Sequence, residues 1–213
     1  MNKRLTFLFA LVLLGISSVQ GADVKLPPPQ TSGGKPVLDA LASRASASGR
    51  EFPSGKISEA ELSTLLWAAS GLNRQPKGWT IPLAMGVEPY CRIYVAGAGG
   101  VHLYSWQDHS LQEISREDIR SKISSQPFAA RASHFLIFVT DRSPLKKAGR
   151  MGVRWDEWLD VAVGAMTQNV YLAADSLGIG VRFVAMMDMT LIRKTLPIPD
   201  DEKPVCIFPM AKY

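Results

Sequence analysis

From Trp155 to Leu177 apolar side chains recur at mostly three- and four-residue steps (Leu159, Val163, Met166, Val170, Ala173, Ala174, Leu177), which predicts a long helix buried over a wide face. Gly178 supplies its stop. A second helix is predicted from Glu59 to Ala69, where Ser58 and Glu61 have the spacing of a capping box. A shorter one is predicted over Leu38–Ala45, another over Thr190–Leu196, and a polar one over Arg116–Ser124 with Ser115 as its cap. Between Tyr90 and Ile114 the period changes. The runs YCRIYVAG, VHLYSW and SLQEI are rich in β-branched and aromatic residues and are separated by turn residues, which predicts an antiparallel meander. SHFLIFVTD (Ser133–Asp141) is nearly continuous apolar sequence, the mark of a buried strand, and GVRFVAMM (Gly180–Met187) and PVCIFPMA (Pro204–Ala211) read as two more strands. Helices precede a meander and a long helix feeds a late strand, so the class is α+β rather than a doubly wound parallel sheet.

The ends of the chain differ from this. Lys3 and Arg4, an apolar run from Leu5 to Ile16, and small residues up to Gly21 read as a secretory signal over residues 1–21. The run is too short to span a bilayer, so no stable membrane insertion is expected, and the protein is expected to be periplasmic or secreted. Residues 22–35, ADVKLPPPQTSGGK, have little to bury and predict a flexible leader, and residues 36–213 suit one compact domain.

The formal charge of +5 on 213 residues contains no basic run of the kind that binds nucleic acid. Cys91 and Cys206 each lie in a strand-like segment. A disulfide between them is open in an oxidising compartment, and two separately buried thiols is the preferred reading. No Cys/His spacing suggests a metal, and no glycine-loop, nucleophile-elbow or zinc-helix signature is present, so no side chain is assigned a catalytic role. His102, His109 and His134 have no acid or serine at a telling spacing and read as structural; Gly97–Gly100 reads as a hairpin turn. One segment could take an anion: Ser46–Phe52, with Ser48, Arg50 and the upstream Arg44, has the hydroxyls and guanidinium forks to cradle a phosphate, although a solvated loop explains the same composition. Asn73 and Arg74 form a second polar pair, in a loop after the apolar helix.

Four stretches together resemble the FMN-dependent nitroreductase family, especially its thiazole/oxazole peptide dehydrogenase branch: SGREF (Ser48–Phe52), ELSTLLWAASGLNR (Glu61–Arg74), MTQNVYLAADSLGIG (Met166–Gly180) and LPIPDDEKPVCIFPM (Leu196–Met210). The resemblance implies an intimate homodimer with FMN in a groove between the subunits, and hydride transfer through the flavin N5 to a small planar acceptor such as a nitroaromatic, quinone or heterocycle. It leaves the electron donor open, with NAD(P)H one candidate. Carried over by position, Ser48 and Arg50 match the phosphate and ribityl end, and Asn73 and Arg74 match a loop that approaches the cofactor. Asn169 lies on the interface helix, where a packing role is equally open, and the backbone of Val184, Ala185 and Met186 would face N5. Trp79, Trp106, Tyr104 and Phe128 are candidates to line the acceptor face. The chain departs from the family pattern at three points. Ala47 stands where the family has arginine or lysine directly before the serine, so that Arg44 would have to reach round. Leu83 follows Pro82 where relatives have serine, and Ala211 replaces a glycine, leaving Lys212 as a further charge toward a phosphate. These departures keep a second reading open, a degenerate member that binds a ligand without redox activity.

Overall fold

The computed structural model describes residues 23–82, 87–149 and 155–213, with the side chains of 155 and 156 excepted. The expected signal segment and the Leu83 departure lie outside the described residues. In chain order the elements are β1 (Val24–Lys25), α1 (Val37–Ser43), α2 (Glu59–Ser70), β2 (Cys91–Gly97), β3 (Gly100–Ser105), β4 (Ser110–Ser115), β5 (His134–Thr140), α3 (Ser143–Lys147), α4 (Trp155–Leu177), β6 (Ile179–Val181), α5 (Met189–Thr195) and β7 (Pro204–Lys212). One seven-stranded sheet runs β1-β4-β3-β2-β5-β7-β6, and every strand pairing among the described residues is antiparallel. The α+β expectation holds.

The predicted periodicities explain the layers. Val163, Met166, Val170 and Ala174 of α4 are buried, and with Leu62, Leu65, Leu66 and Ala69 of α2 they cover one face of the sheet, while Leu159 is buried in a smaller cluster with Leu145 and Ala162. Ser58 and Glu61 close the capping box that starts α2, and Gly178 takes φ +65 to end α4. The other face is covered by Phe52, Phe128, Ile119, Ile123, Ile192 and Leu196, drawn from loops and from α5. No helix among the described residues is long and apolar enough to cross a membrane.

Several expectations change. The polar segment Arg116–Ser124 is not a helix. Glu117 N–H donates to Ser115 Oγ and Arg120 N–H to Asp118 Oδ1, while the Lys122 and Ile123 amides share the Ile119 carbonyl, so the chain makes turns and a single i to i−4 bond rather than a continued ladder. The late strand predicted to reach Met187 stops at Val181, because only the isolated Val184–Ile207 bridge continues it. The short helix α3 was not predicted. Cys91 and Cys206 are free and buried. Burial raises both thiols, that of Cys206 to about 12, which keeps them in the unreactive protonated form.

The residues expected as a flexible leader are instead docked from Val24 to Lys35. Leu26 N–H donates to the His109 carbonyl, Ser63 Oγ to the Pro27 carbonyl, Gln30 N–H to Thr64 Oγ1, and Lys35 pairs with Asp175 at 2.7 Å. His109 organises the first part: its Nε2 lies 2.7 Å from Ser63 Oγ and its Nδ1 3.0 Å from Tyr104 Oη. Because the Ser63 proton goes to Pro27, the imidazole must donate from Nε2 and accept from Tyr104. Ser63→Ala removes the serine link, and each buried bond of this kind is worth about 1 to 2 kcal/mol. Amide exchange in residues 24–30 is expected to speed up by about tenfold; unchanged exchange in a folded Ser63→Ala protein would show that the segment is held by its apolar contacts alone.

Candidate functional site

The loop from Arg44 to Pro53 is pinned against β6 and the segment that follows it. Ala47 N–H donates to the Val181 carbonyl at 2.8 Å, and Arg182 Nη1 donates back to the Ala47 carbonyl at 3.0 Å. Gly180 permits the approach, since a Cβ there would fall 2.5 Å from Pro53 Cγ. Tyr171, on α4, completes the junction: its hydroxyl accepts the Phe183 amide at 2.9 Å and bonds Ser46 Oγ at 2.7 Å. From below, Phe128 backs Gly49 and Phe52, while Arg131 donates to the carbonyls of Arg50 and Phe52. The loop is therefore held mainly through its backbone, which leaves the side chains of Ser48 and Arg50 exposed. Ser48 Oγ accepts the Arg50 amide, and the Arg50 guanidinium meets no carboxylate among the described residues.

Beside this loop lies the segment expected to face the flavin ring. Val184 is buried and paired with Ile207 through both its N–H and its C=O. Ala185 is exposed, as are Phe183 and Met186, at 43% and 64%. The loop that carries Ser48 and Arg50 is thus tied, through Ser46 and Ala47, to Arg182 and Phe183 at the start of this surface.

Other sequence candidates lie elsewhere. Arg44 stacks over the Tyr171 ring at 5.1 Å to its centroid, and, against the upward push of burial, its charge adds to the bonds from Lys35 and Ser43 that hold Asp175 down. Lys212 is engaged by Glu61 and by the Leu177 carbonyl. Asn169 Nδ2 donates to the carbonyls of Ala68 and Thr80, both at 3.0 Å, so its amide joins α4 to α2 and to the following loop. Asn73 and Arg74 are exposed in that loop, which closes through the Leu72–Trp79 bridge and the Asn73 N–H to Gly78 carbonyl bond. No hydrogen bond or ion pair among the described residues joins them to the Ser48–Arg50 loop. Of the aromatic candidates, Trp79 packs edge-on to Trp106 in the core and Tyr104 is buried against His109. Phe128 alone borders the Ser48–Arg50 loop.

Tyr171, Arg131 and Arg182 were missed by sequence reasoning. Tyr171 sits inside the periodic helix, where an aromatic residue reads as core, and its hydroxyl function depends on two loops distant in sequence. Arg182 lies in a predicted strand and carried no motif.

Comparison with known proteins agrees with this arrangement. The sequence profile of the nitroreductase family matches residues 41–212. A protein of Methanocaldococcus jannaschii assigned to the nitroreductases is 30% identical over 183 residues, spanning 82% of this chain and 89% of the relative. A crystal structure of a nitroreductase-type protein from Ralstonia eutropha superposes with a TM-score of 0.79 at 29% identity, over 89% of each chain. The NADPH:FMN oxidoreductase of Vibrio harveyi, solved with NAD+, shares the fold at a TM-score of 0.56 and 15% identity, over 83% of this chain and 68% of its own. The family profile, the relative from Methanocaldococcus jannaschii and the superposed antiparallel α+β fold agree: the chain belongs to the nitroreductase family.

Proposed function

We propose that this protein is an FMN-dependent oxidoreductase that passes two electrons, as a hydride, to a small planar acceptor. The observation that carries the reading is the junction of the Ser48–Arg50 loop with Phe183–Met186, which joins an anion-binding loop to an apolar, solvent-open surface. The donor set fits FMN: a hydroxyl and two guanidiniums, those of Arg50 and Arg182, surround one loop with no carboxylate paired to either arginine among the described residues. Bound FMN would supply the hydride-carrying N5. The chain's own part is to orient and exclude water. Ser48 and Arg50 hold the phosphate and ribityl end, the Ala185 backbone faces the ring while Val184, bonded to Ile207 through both its N–H and its C=O, fixes that segment, and Phe183 and Met186 offer an apolar floor to a nitroaromatic, quinone or heterocycle. NAD(P)H is the donor proposed, by analogy with the NADPH:FMN oxidoreductase of Vibrio harveyi, which shares the fold, and the four motif stretches favour the thiazole/oxazole dehydrogenase branch.

Exposed apolar side chains support the homodimer that this reading includes. Val37, Leu38 and Leu41 of α1 are 62%, 74% and 49% exposed, and Val161 of α4 is 70% exposed. α1 buries only Ala40, so its apolar face awaits a partner. A second copy would cover these residues and bring its Asn73 and Arg74 toward the site. The N-terminal reading adds export to the periplasm or beyond.

The test is an absorbance spectrum of the purified mature protein after incubation with excess FMN and desalting. Retained flavin bands, with dithionite bleaching and reoxidation by a quinone, are expected. Arg50→Ala is expected to weaken FMN binding by about tenfold while leaving the dimer intact. A protein that stays colourless would instead favour the non-redox binding reading, for which Ala47 and the engagement of Lys212 by Glu61 are the supporting observations.

A further inference from the structure

The place directly before Ser48, where the family resemblance implies a basic residue, is Ala47, and it is buried. We propose that Arg182 supplies the missing cation from the far side of the loop and binds the phosphate of the flavin. This rests on the FMN reading above and adds to it a residue that the motif match does not assign.

The guanidinium of Arg182 is fixed in two ways. One Nη donates to the Ala47 carbonyl at 3.0 Å, so the charge is tethered to the residue it replaces. Its carbon lies 5.3 Å from the centroid of Phe128, which holds the guanidinium against the ring. Phe128 also supports Gly49, so one aromatic ring positions both the cation and the loop carrying Ser48 and Arg50. An arginine has five N–H donors, and the Ala47 carbonyl takes one of the Nη hydrogens. No carboxylate of a described residue pairs with the rest. The other basic candidates are less available, Arg44 lying over Tyr171 and Lys212 being held by Glu61. Arg182, tethered to Ala47, and Arg50 therefore lie on either side of Ser48 along the loop as two cations without acidic partners among the described residues. A prefixed guanidinium fork suits a phosphate monoester, whose oxygens accept paired N–H bonds. A neutral ribityl alcohol offers no charge for it, so the consequence is selectivity for FMN over riboflavin.

The experiment titrates FMN and riboflavin into the mature protein, into Arg182→Gln and into Arg182→Lys, following quenching of flavin fluorescence. In Arg182→Gln the FMN dissociation constant is expected to rise about 10- to 50-fold while that for riboflavin changes less than about twofold, and in Arg182→Lys part of the FMN preference returns. A purely structural role would weaken both flavins in the same proportion and overturn the proposal, as would unchanged FMN affinity. If Arg182→Gln does not fold, Arg182→Lys decides: an FMN preference reduced but still present supports the assignment, and one that is either untouched or abolished refutes it. Failure of the unaltered protein to bind either flavin removes the cofactor reading itself. Normal FMN binding with an indifferent Arg182 removes only this inference.

Discussion

Arg92→Met is expected to lower the unfolding free energy by about 3 to 5 kcal/mol at neutral pH, with part of that loss recovered in acid. Arg92, on β2, donates from Nε to Asp141 Oδ2 at 3.1 Å and from Nη2 to Asp141 Oδ1 at 3.2 Å. The same Nη2 reaches the Glu202 carboxylate at 2.9 Å. Glu202 is 2% exposed and also accepts the Arg142 amide. The pKa directions fit a buried cation shared by two acids. Burial and the facing Asp141 outweigh the pull of Arg92 and raise Glu202, whereas Asp141, against the push of burial, is held down by Arg92 and by Ser143. Without the guanidinium two carboxylates face each other away from water. Both folded-state pKa values would then lie above their unfolded values, so the associated stability is present at low pH and is lost as pH rises through them. Urea unfolding of both proteins at pH 7.5 and pH 5 measures this. A deficit below about 1 kcal/mol, or one equal at the two pH values, would show that the cluster is solvated and contributes little.

That cluster was invisible in the sequence, and the reason is general to this fold. Arg92, Asp141 and Glu202 are separated by tens of residues and meet because β2 pairs with β5 and Thr140 bonds Lys203, just before β7. Elements specified by local pattern were legible. The 3.6-residue period set α4, Ser58 and Glu61 set the start of α2, and alternating β-branched runs set β2 to β4. Arg116–Ser124 was misread because Ser115 and Asp118 can satisfy nearby amides in a turn as well as in a helix cap, and composition does not choose between the two. The leader was misread because its prolines and glycines suggested a free segment, whereas proline also suits a strand-edge strap that needs few amide donors. At the candidate site, Ser48 and Arg50 were readable as a local motif. Their backing by Tyr171, Phe128, Arg131 and Arg182 was not, since each comes from a different element and works through a backbone carbonyl or a ring face.

His134 gives the second large effect, a loss of stability in mild acid. The imidazole sits at the start of β5, with Nδ1 2.9 Å from Ser133 Oγ and its ring packed so closely on Gly97 that a Cβ there would approach it at 2.9 Å. Burial, with the nearby Arg120 cation adding to it, pushes its pKa down to about 4 from an ordinary 6.5. The folded form therefore keeps it neutral where the unfolded chain protonates it. Stability is constant above pH 6.5 and falls as pH drops through the window from 6.5 to 4, by on the order of 2 to 3 kcal/mol for this group. Burial lowers His102 and His109 in the same direction, so they add to the slope. Unfolding curves of the protein and of His134→Asn at pH 7.5 and pH 4.5 separate its share: the variant should lose less stability between the two values by about 2 kcal/mol. An identical acid-induced loss in both would mean that His134 is protonated in the folded state, with the Gly97 contact opening to admit water.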